Sequence, residues 1–476
     1  MPSIDRNSGE PFYQQVYRQI AEGIETRLYP AGKKLPSIRE CARDLGVSNT
    51  TIELAYQKLT SEGYIKARRG SGYTVCEIEI TSSNPTMRFS ADYQESLEKL
   101  KHSQAKQPLV ENILYDFAYD AVDAELFPFA TWGRISREVF FSKGARDVCY
   151  YNDPQGLHSL RQQIAQHLGA EHDVACIPEQ VLVMPTTRDL VASIARLLDP
   201  REGRFAMENP GYDEVTKTLQ ACSFDISWID VSPTPEWTET LEALEDAKIL
   251  FTTPACQFPT NTPMPLECRR DFVEWAHEHD AYIIDDEYGW DYLSGVSHMP
   301  SLAVFDRFGR VITMGTFSNL LSPAIALSYA VLPPDLMMRW QEAHRGSHPR
   351  VPWQTQATMA AFISEGHLHT HARKMRTALS RKRQVLLDAL NTYLGGKIDV
   401  VASPGSLFAL VHVLDKREEA DLVAAARVNG VAVYPTSQYW HSGAPLDWRC
   451  ILVGYAGISE TDIEPGVRLL AEAWGR

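Results

Sequence analysis

The sequence predicts an α/β protein of two parts: a small helical head closed by a β-hairpin, and a large body built on a mostly parallel sheet. Three observations carry this. Over residues 12–62 apolar residues recur at helical spacing, with capping signals between the segments. Residues 64–75 read as two short strands about a Gly-rich turn. From about residue 113 short apolar runs alternate with helical patterns, which is how a parallel sheet with crossover helices reads. The 476 residues leave room for one small and one large domain, or for three at roughly 150 residues each.

The elements follow in order. Phe12, Val16, Ile20 and Ile24 recur every four residues, with Tyr13 and Tyr17 beside them, and predict one face of an amphipathic helix ending before Pro30-Ala31-Gly32. Ser37-Ile38-Arg39-Glu40 has the spacing of a capping box, in which each side chain satisfies the other's free backbone N–H. Gly46 stops that second helix. Ser48 caps a third, about Asn49 to Glu62, with Ile52, Ala55, Tyr56 and Leu59 on its buried side. Two helices joined at Gly46-Val47 make a helix-turn-helix. Tyr64 to Ala67, the turn Arg68-Arg69-Gly70-Ser71-Gly72, and Tyr73 to Val75 add a hairpin wing. Residues 77–112 are polar and mixed and read as a linker, with a short helix possible at Tyr93 to Lys101. In the body, residues 113–476, the predicted strands are Val181–Met184, Phe205–Glu208, Ile249–Thr252, Tyr282–Asp285 and Val311–Met314. Helices are predicted at Gly156–Gly169 and Asp189–Leu198.

Charge divides the chain along the same line. Residues 1–76 hold 11 Lys+Arg against 8 Asp+Glu, a net +3; the remaining 400 carry −18 of the overall −15. The acidic body repels a polyanion, so any nucleic-acid contact is expected in the head. No apolar run approaches the roughly 18 residues of a membrane helix, and MPSIDRNSGE has no basic region followed by an apolar core. The eight cysteines form no CxxC pair, which fits reduced thiols in a cytoplasmic protein. No Ser-His-Asp motif, Walker loop or dinucleotide fingerprint occurs.

The head suits DNA. Ser48, Asn49, Thr50 and Thr51 are short polar side chains at a helix N-terminus, where backbone N–H groups favour a phosphate. Asn and Thr also reach base edges in the major groove. Lys33, Lys34 and Arg39 add phosphate partners, and Arg68, Arg69 and Gly70 place cations and a close backbone approach on the wing. The alternative is a winged helix that binds a partner other than DNA. The segment KKLPSIRECARDLGVSNTTIELAYQKLTSEGYIKARRGSGYTV resembles the winged helix of GntR-family transcription regulators. Where that family usually has Arg after the capping Ser, this chain has Asn49.

Loops at the predicted strand ends carry a second resemblance: Tyr151-Asn152-Asp153-Pro154-Gln155-Gly156, Glu208-Asn209-Pro210-Gly211-Tyr212, Thr253 to Thr260, Asp285-Asp286-Glu287-Tyr288 and Gly315-Thr316-Phe317-Ser318. In this order they resemble the fold-type I aminotransferase-like domain of the MocR/GabR-like regulators, a GntR subfamily. The resemblance implies a body that binds pyridoxal 5′-phosphate (PLP), senses a small effector and forms a head-to-tail homodimer. It implies that Asp286 faces the cofactor's pyridine nitrogen, with Asp285 as the adjacent candidate. It further implies that Tyr288 lies near the phenolic oxygen, Tyr212 at the pocket, and Arg449 on a substrate carboxylate.

The chain also departs from that pattern. Where the family reads Thr-Phe-Ser-Lys, this chain reads Thr316-Phe317-Ser318-Asn319, and an amide cannot form a Schiff base. No lysine occurs between Ile249 and Arg373. The family's phosphate-binding arginine corresponds to Ala326, its phosphate-loop glycine to Thr187, and the glycine closing Phe-Pro-Thr-Gly to Asn261; Arg188 is the candidate replacement for the lost phosphate charge. Losing the arginine alone removes a contact worth about 1.5–3 kcal/mol. The sequence therefore predicts a DNA-binding transcription regulator whose body is catalytically inactive, with no catalytic residue, no metal ligands and no PLP expected. An effector pocket is predicted from Arg188, Tyr212, Asp286, Tyr288, Ser318, Asn319 and Arg449, with a carboxylate-bearing effector as the expected ligand. The alternatives are a PLP-dependent aminotransferase fused to the head, a ligand-free architectural dimer, and a pocket whose charges are spent in structural salt bridges. His367, His369 and His371 are read as structural, Cys256 as an inert thiol, and Glu236 to Asp246 as a solvated helix face.

Overall fold

The computed structural model describes residues 4–6, 8–68, 72–77, 90–105, 113–142, 149–198, 200–201, 203–231, 241, 244, 246–289, 300–404, 406–414, 416–443 and 448–475. The chain divides into two units, Met1–Leu109 and Val110–Arg476.

In the first unit, α1 (Phe12–Glu25), α2 (Ile38–Leu45) and α3 (Asn49–Ser61) precede the hairpin β1 (Ile65–Arg68) and β2 (Gly72–Val75). Val16, Ile20 and Ile24 of α1 are buried, as the four-residue spacing predicts; Phe12, at the first turn, stays 38% exposed. They pack on Ile52, Ala55, Tyr56 and Leu59 of α3. The capping box forms: Glu40 N–H donates to Ser37 Oγ at 3.3 Å, and Ser37 N–H to Glu40 Oε2 at 2.9 Å. Gly46 ends α2 at φ 64°, a left-handed position that glycine adopts without a Cβ penalty. A single bridge ties the two-stranded wing to the segment before α2, a contact that the sequence did not reveal. Lys34 bridges Thr74, and Leu35 N–H donates to Tyr73 O. Helix α4 (Ala91–Ala105) runs longer than the short helix expected at 93–101.

The second unit is organised on a seven-stranded sheet, in spatial order β4 (Val181–Met184), β10 (Ser328–Val331), β9 (Val311–Thr316), β8 (Tyr282–Asp286), β7 (Ala247–Thr252), β5 (Arg204–Asn209) and β6 (Ile226–Asp230). Strands β5 to β9 are parallel, and β10 runs antiparallel to both neighbours. Alternate residues feed two cores. Phe205, Met207, Ile249, Phe251 and Ile284 face a layer containing α7 (Thr187–Ala195), α8 (Asp213–Ala221) and α10 (Pro334–Ala343); Ala206, Leu250 and Ile283 face α9 (Leu266–Glu278). Burial on both faces explains why these strands read as continuous apolar runs. Helices α5 (Phe129–Ser142), α6 (His158–Glu171) and α11 (Trp353–Ser364) complete this lobe.

A smaller lobe follows the 28-residue helix α12 (His367–Leu394). Its antiparallel sheet has the order β11 (Ile398–Val401), β12 (Phe408–Val413), β15 (Cys450–Gly454), β14 (Tyr434–Pro435), backed by α13 (Glu419–Val428) and α14 (Glu460–Trp474). The strand β3 (Tyr115–Asp116) at the start of the body returns to pair with β13 (Val431–Ala432). The sequence reading missed β6, β10 and this second sheet. Their segments are short, and β10 lies inside the continuous apolar run Ile325–Leu332, where no alternation marks a strand. No helix among the described residues is long and apolar enough to cross a membrane.

Candidate functional site

Two surfaces carry chemistry, one on each unit. On the head, Ser48 caps α3 by accepting from Thr51 N–H at 3.2 Å, and its hydroxyl also meets Thr51 Oγ1 at 2.8 Å. Thr51 is thus partly spent on the cap, while Ser48, Asn49 and Thr50 are exposed. No acid occupies the first turn of α3, so its partial positive charge is uncancelled. Lys33, Lys34 and Arg39 are exposed, with the Lys33 ammonium 4.9 Å from the Tyr29 ring centroid. Arg68 ends β1; Arg69 and Gly70 lie outside the described residues.

In the body, the site forms at the carboxyl ends of the parallel strands, where loops leave the sheet. Glu208, near the end of β5, is buried and held by Thr252 Oγ1 at 2.5 Å, Thr253 N–H at 3.2 Å and Oγ1 at 2.9 Å, and Gln257 Nε2 at 3.3 Å. Burial raises its pKa, and these four donors oppose the rise. Strand β8 ends in three buried acids, Asp285, Asp286 and Glu287. Asp285 Oδ2 accepts from Ser301 Oγ at 2.6 Å and Leu302 N–H at 3.0 Å. Arg269 of α9 is completely buried. It donates to the carbonyls of Met264, Pro300 and Pro254 at 3.2, 2.8 and 2.5 Å and lies 3.8 Å from Glu287.

Like Asp285 Oδ1 and both carboxylate oxygens of Glu287, the Oδ1 of Asp286 is buried without a hydrogen-bond partner. Burial, then the charges of Asp285 and Glu208, push its pKa up to about 7. Tyr212, the residue before α8, is also raised, by burial and then by the charge of Asp286. Tyr288 donates to Cys256 O at 2.8 Å, so its hydroxyl is committed to the loop. Met314 pairs with Asp286 across β9 and β8, and Asn319 follows five residues on, half-buried in the turn after β9. Ser318 is held at the same turn by its N–H, which donates to Thr316 Oγ1 at 3.2 Å.

Above the acids stands a group of rings drawn from distant segments. Phe258 meets Tyr212 at 5.7 Å, Tyr439 at 4.8 Å, Phe408 at 5.7 Å and Tyr119 at 6.0 Å between centroids; Tyr119 also meets Tyr434 at 5.4 Å. Sequence reasoning missed Tyr119, Phe408, Tyr434 and Tyr439, because only folding brings residues 119 and 408–439 to a loop at 258.

Several predicted site residues are placed elsewhere or otherwise employed. Arg449 directly precedes β15; its carbonyl accepts from Val413 N–H, continuing the β12–β15 register in which Phe408 opposes Gly454, and its guanidinium Nε is buried without a hydrogen-bond partner. Arg188 is largely exposed and pairs with Glu214 at 3.5 Å. Thr186, not Thr187, caps α7: it accepts from Asp189 N–H at 3.1 Å and donates to Asp189 Oδ2 at 2.7 Å, which sets a carboxylate in the first turn. Asn261 keeps the backbone role of the glycine it replaces, at φ 61°, and its amide spans to Phe408 O at 3.2 Å. Ala326 adopts φ 48° without bringing any charge. His371 is buried and donates through Nε2 to Leu320 O at 2.8 Å, a structural role. No metal-binding group of His, Cys, Asp or Glu forms among the described residues. Burial pushes the Cys256 thiol up to about 11, which keeps it protonated. Most of the segment 236–246 lies outside the described residues.

Comparison with known proteins matches both units. Residues 12–75 match the bacterial regulatory proteins of the gntR family, and residues 137–468 match aminotransferase class I and II. The chain is 31% identical over 474 residues to the uncharacterized HTH-type transcriptional regulator YhdI of Bacillus subtilis, covering 99% of this chain and 98% of that one. It is 30% identical over 482 residues to the probable rhizopine catabolism regulatory protein MocR of Rhizobium meliloti, covering 99% and 95%. In fold, it is similar to LysN, an alpha-aminoadipate aminotransferase of Thermus thermophilus, with TM-score 0.68, 22% identity and coverage of 79% and 96%. The chain thus belongs to the MocR/GabR-like regulators of the GntR family, in which a DNA-binding helix-turn-helix domain is fused to an aminotransferase-like fold.

Proposed function

We propose that this regulator controls transcription through its winged helix, and that its body senses a small molecule without forming a Schiff base and without transferring amino groups. One observation carries the reading: the turn after β9, next to the acid-bearing end of β8, holds Asn319, and no lysine occurs from Ile249 to Arg373. An amide nitrogen is not nucleophilic and cannot condense with an aldehyde.

The residues present do not fit PLP. Its phosphate needs an anion cup, yet the first turn of α7 carries Asp189, Arg188 is engaged by Glu214, and Ala326 is neutral. Asp286 alone suits the pyridine nitrogen.

The heads act on double-stranded operator DNA, and pairing of two chains into a homodimer, head-to-tail as in the resemblance, sets their spacing. An effector acts by binding one dimer arrangement more tightly than another. The test is a visible spectrum of the purified full chain with PLP, before and after borohydride, alongside operator binding by the same sample. No reducible adduct with intact DNA binding is expected. A covalent vitamin adduct, or turnover of an amino donor, refutes the proposal.

A further inference from the structure

Residues 4–6 and 8–10, ahead of α1, form no helix or strand, yet the head holds this arm in place. Gln15 of α1 is only 2% exposed, and its side-chain amide faces the arm. Its Oε1 accepts from Asp5 N–H at 2.9 Å. Its two Nε2 hydrogens are shared among Asp5 O at 3.0 Å, Ser8 Oγ at 2.8 Å and Glu10 O at 2.8 Å. Ile4 packs against the apolar core of the head. A buried amide is stable only with its donors and acceptor paired, so Gln15 fixes where the arm runs.

That course brings Arg6 to the turn of the helix-turn-helix. Its guanidinium donates to Gly46 O at 3.3 Å, and a Cβ on Gly46 would stand 3.4 Å from the same nitrogen. Gly46 lies two residues before Ser48, the cap of α3, so their Cα atoms are at most roughly 7 Å apart. Arg6 is exposed, and the Gly46 carbonyl engages one nitrogen of a group that offers five N–H donors. Asp44, two residues before Gly46, is turned to Arg43 at 3.6 Å, and the first turn of α3 holds no acid. In a helix-turn-helix the second helix enters the major groove with its N-terminal residues at the base edges. The phosphates that border the groove then pass close to the N-terminus of α3, where the Arg6 charge is held.

Resting on the reading of the head as a DNA-binding winged helix, we propose that Arg6 is a further DNA contact of this regulator. It takes a backbone phosphate beside the N-terminus of α3, and Gln15 is the positioning residue that keeps it there. The clamp orders the arm before DNA arrives, so less chain and side-chain freedom is lost on binding. A phosphate contact sets register and orientation and favours no base sequence.

The bond to Gly46 O also caps the last carbonyls of α2. Salt separates that role from DNA contact, because a phosphate contact releases counterions and a cap does not. The test uses the full chain and two unrelated DNA duplexes of equal length, with affinity read by fluorescence anisotropy between about 50 and 200 mM salt. Arg6→Ala is expected to lower the log–log salt slope by about 0.9 and to weaken both duplexes alike, about tenfold at the lowest salt. Arg6→Lys keeps a charge and should keep the wild-type slope. Gln15→Met, close in size but without the amide, should weaken binding about two- to tenfold. In the Arg6→Ala background the same change should add nothing. Circular dichroism establishes that each variant is folded; if Gln15→Met unfolds the head, the exposed Arg6 variants decide the matter alone. An unchanged slope in Arg6→Ala, a loss confined to one duplex, or an equal cost of Gln15→Met with and without Arg6 overturns the proposal. The DNA-binding reading of the head fails separately, by absence of wild-type binding to both duplexes, and takes this proposal with it.

Discussion

Asp286→Asn tests the electrostatics of the site without any ligand. The carboxyl is raised from an ordinary 3.8 to about 7, first by burial and then by Asp285 and Glu208. At 1.36 kcal/mol per unit, a shift of about three units corresponds to about 4 kcal/mol, an upper bound because the neighbouring acids titrate with it. The sign follows from proton binding. Between pH 4 and pH 7 the native state holds a proton that the unfolded chain has lost, so Asp286 makes stability fall as pH rises through that window. Above pH 7 the penalty is constant. The asparagine variant carries no such charge, so it should be more stable than wild type at pH 8, by up to about 4 kcal/mol, and equal to it near pH 4. The assay is urea unfolding of the full chain at several pH values between 4.5 and 8. Tryptophan fluorescence reports the body alone, since all ten tryptophans lie beyond residue 131. Loss of stability in Asp286→Asn at pH 8, or identical pH slopes for the two proteins, would refute the reasoning.

Other outcomes follow from the same geometry. Arg269→Ala leaves Glu287 buried without its partner and should destabilise the body by about 3–5 kcal/mol in the same fluorescence assay. Ser37→Ala removes the hydroxyl half of the capping box, leaving the backbone N–H of residue 37 on Glu40, and should cost the head about 1 kcal/mol, seen as faster amide exchange in α2. Lys34→Ala should weaken binding to all DNA sequences alike and reduce the salt dependence of binding by about one unit of log–log slope, whereas Asn49→Ala should change preference among operator sequences. Asn319→Lys restores the amine but not the anion cup; PLP added to this variant should still be removed by dialysis, as followed by absorbance.

The head was legible in the sequence because its determinants are local. A four-residue apolar repeat, a Ser-x-x-Glu cap and a glycine after Leu45 each act within one turn of chain, and all appear in the structure. The bridge from Lys34 to the wing was not legible, since Lys34 has no local strand signal and gains its partner only when residue 74 returns to it. In the body, the parallel strands β5, β7, β8 and β9 announced themselves as apolar runs while β6 did not, and the loops at their carboxyl ends carry Asp286, Tyr212 and Asn319.

Tertiary structure alone decided what surrounds the acids at the end of β8: Arg269 of α9 comes within 3.8 Å of Glu287, and Ser301 donates to Asp285. The same packing gathered Tyr119, Phe408, Tyr434 and Tyr439 around Phe258 from segments hundreds of residues apart. Residue identity and local spacing thus determine which helices and strands form, because those forces act over a few residues. Which charges meet depends on strand order and register, and these emerge only when the whole body is packed.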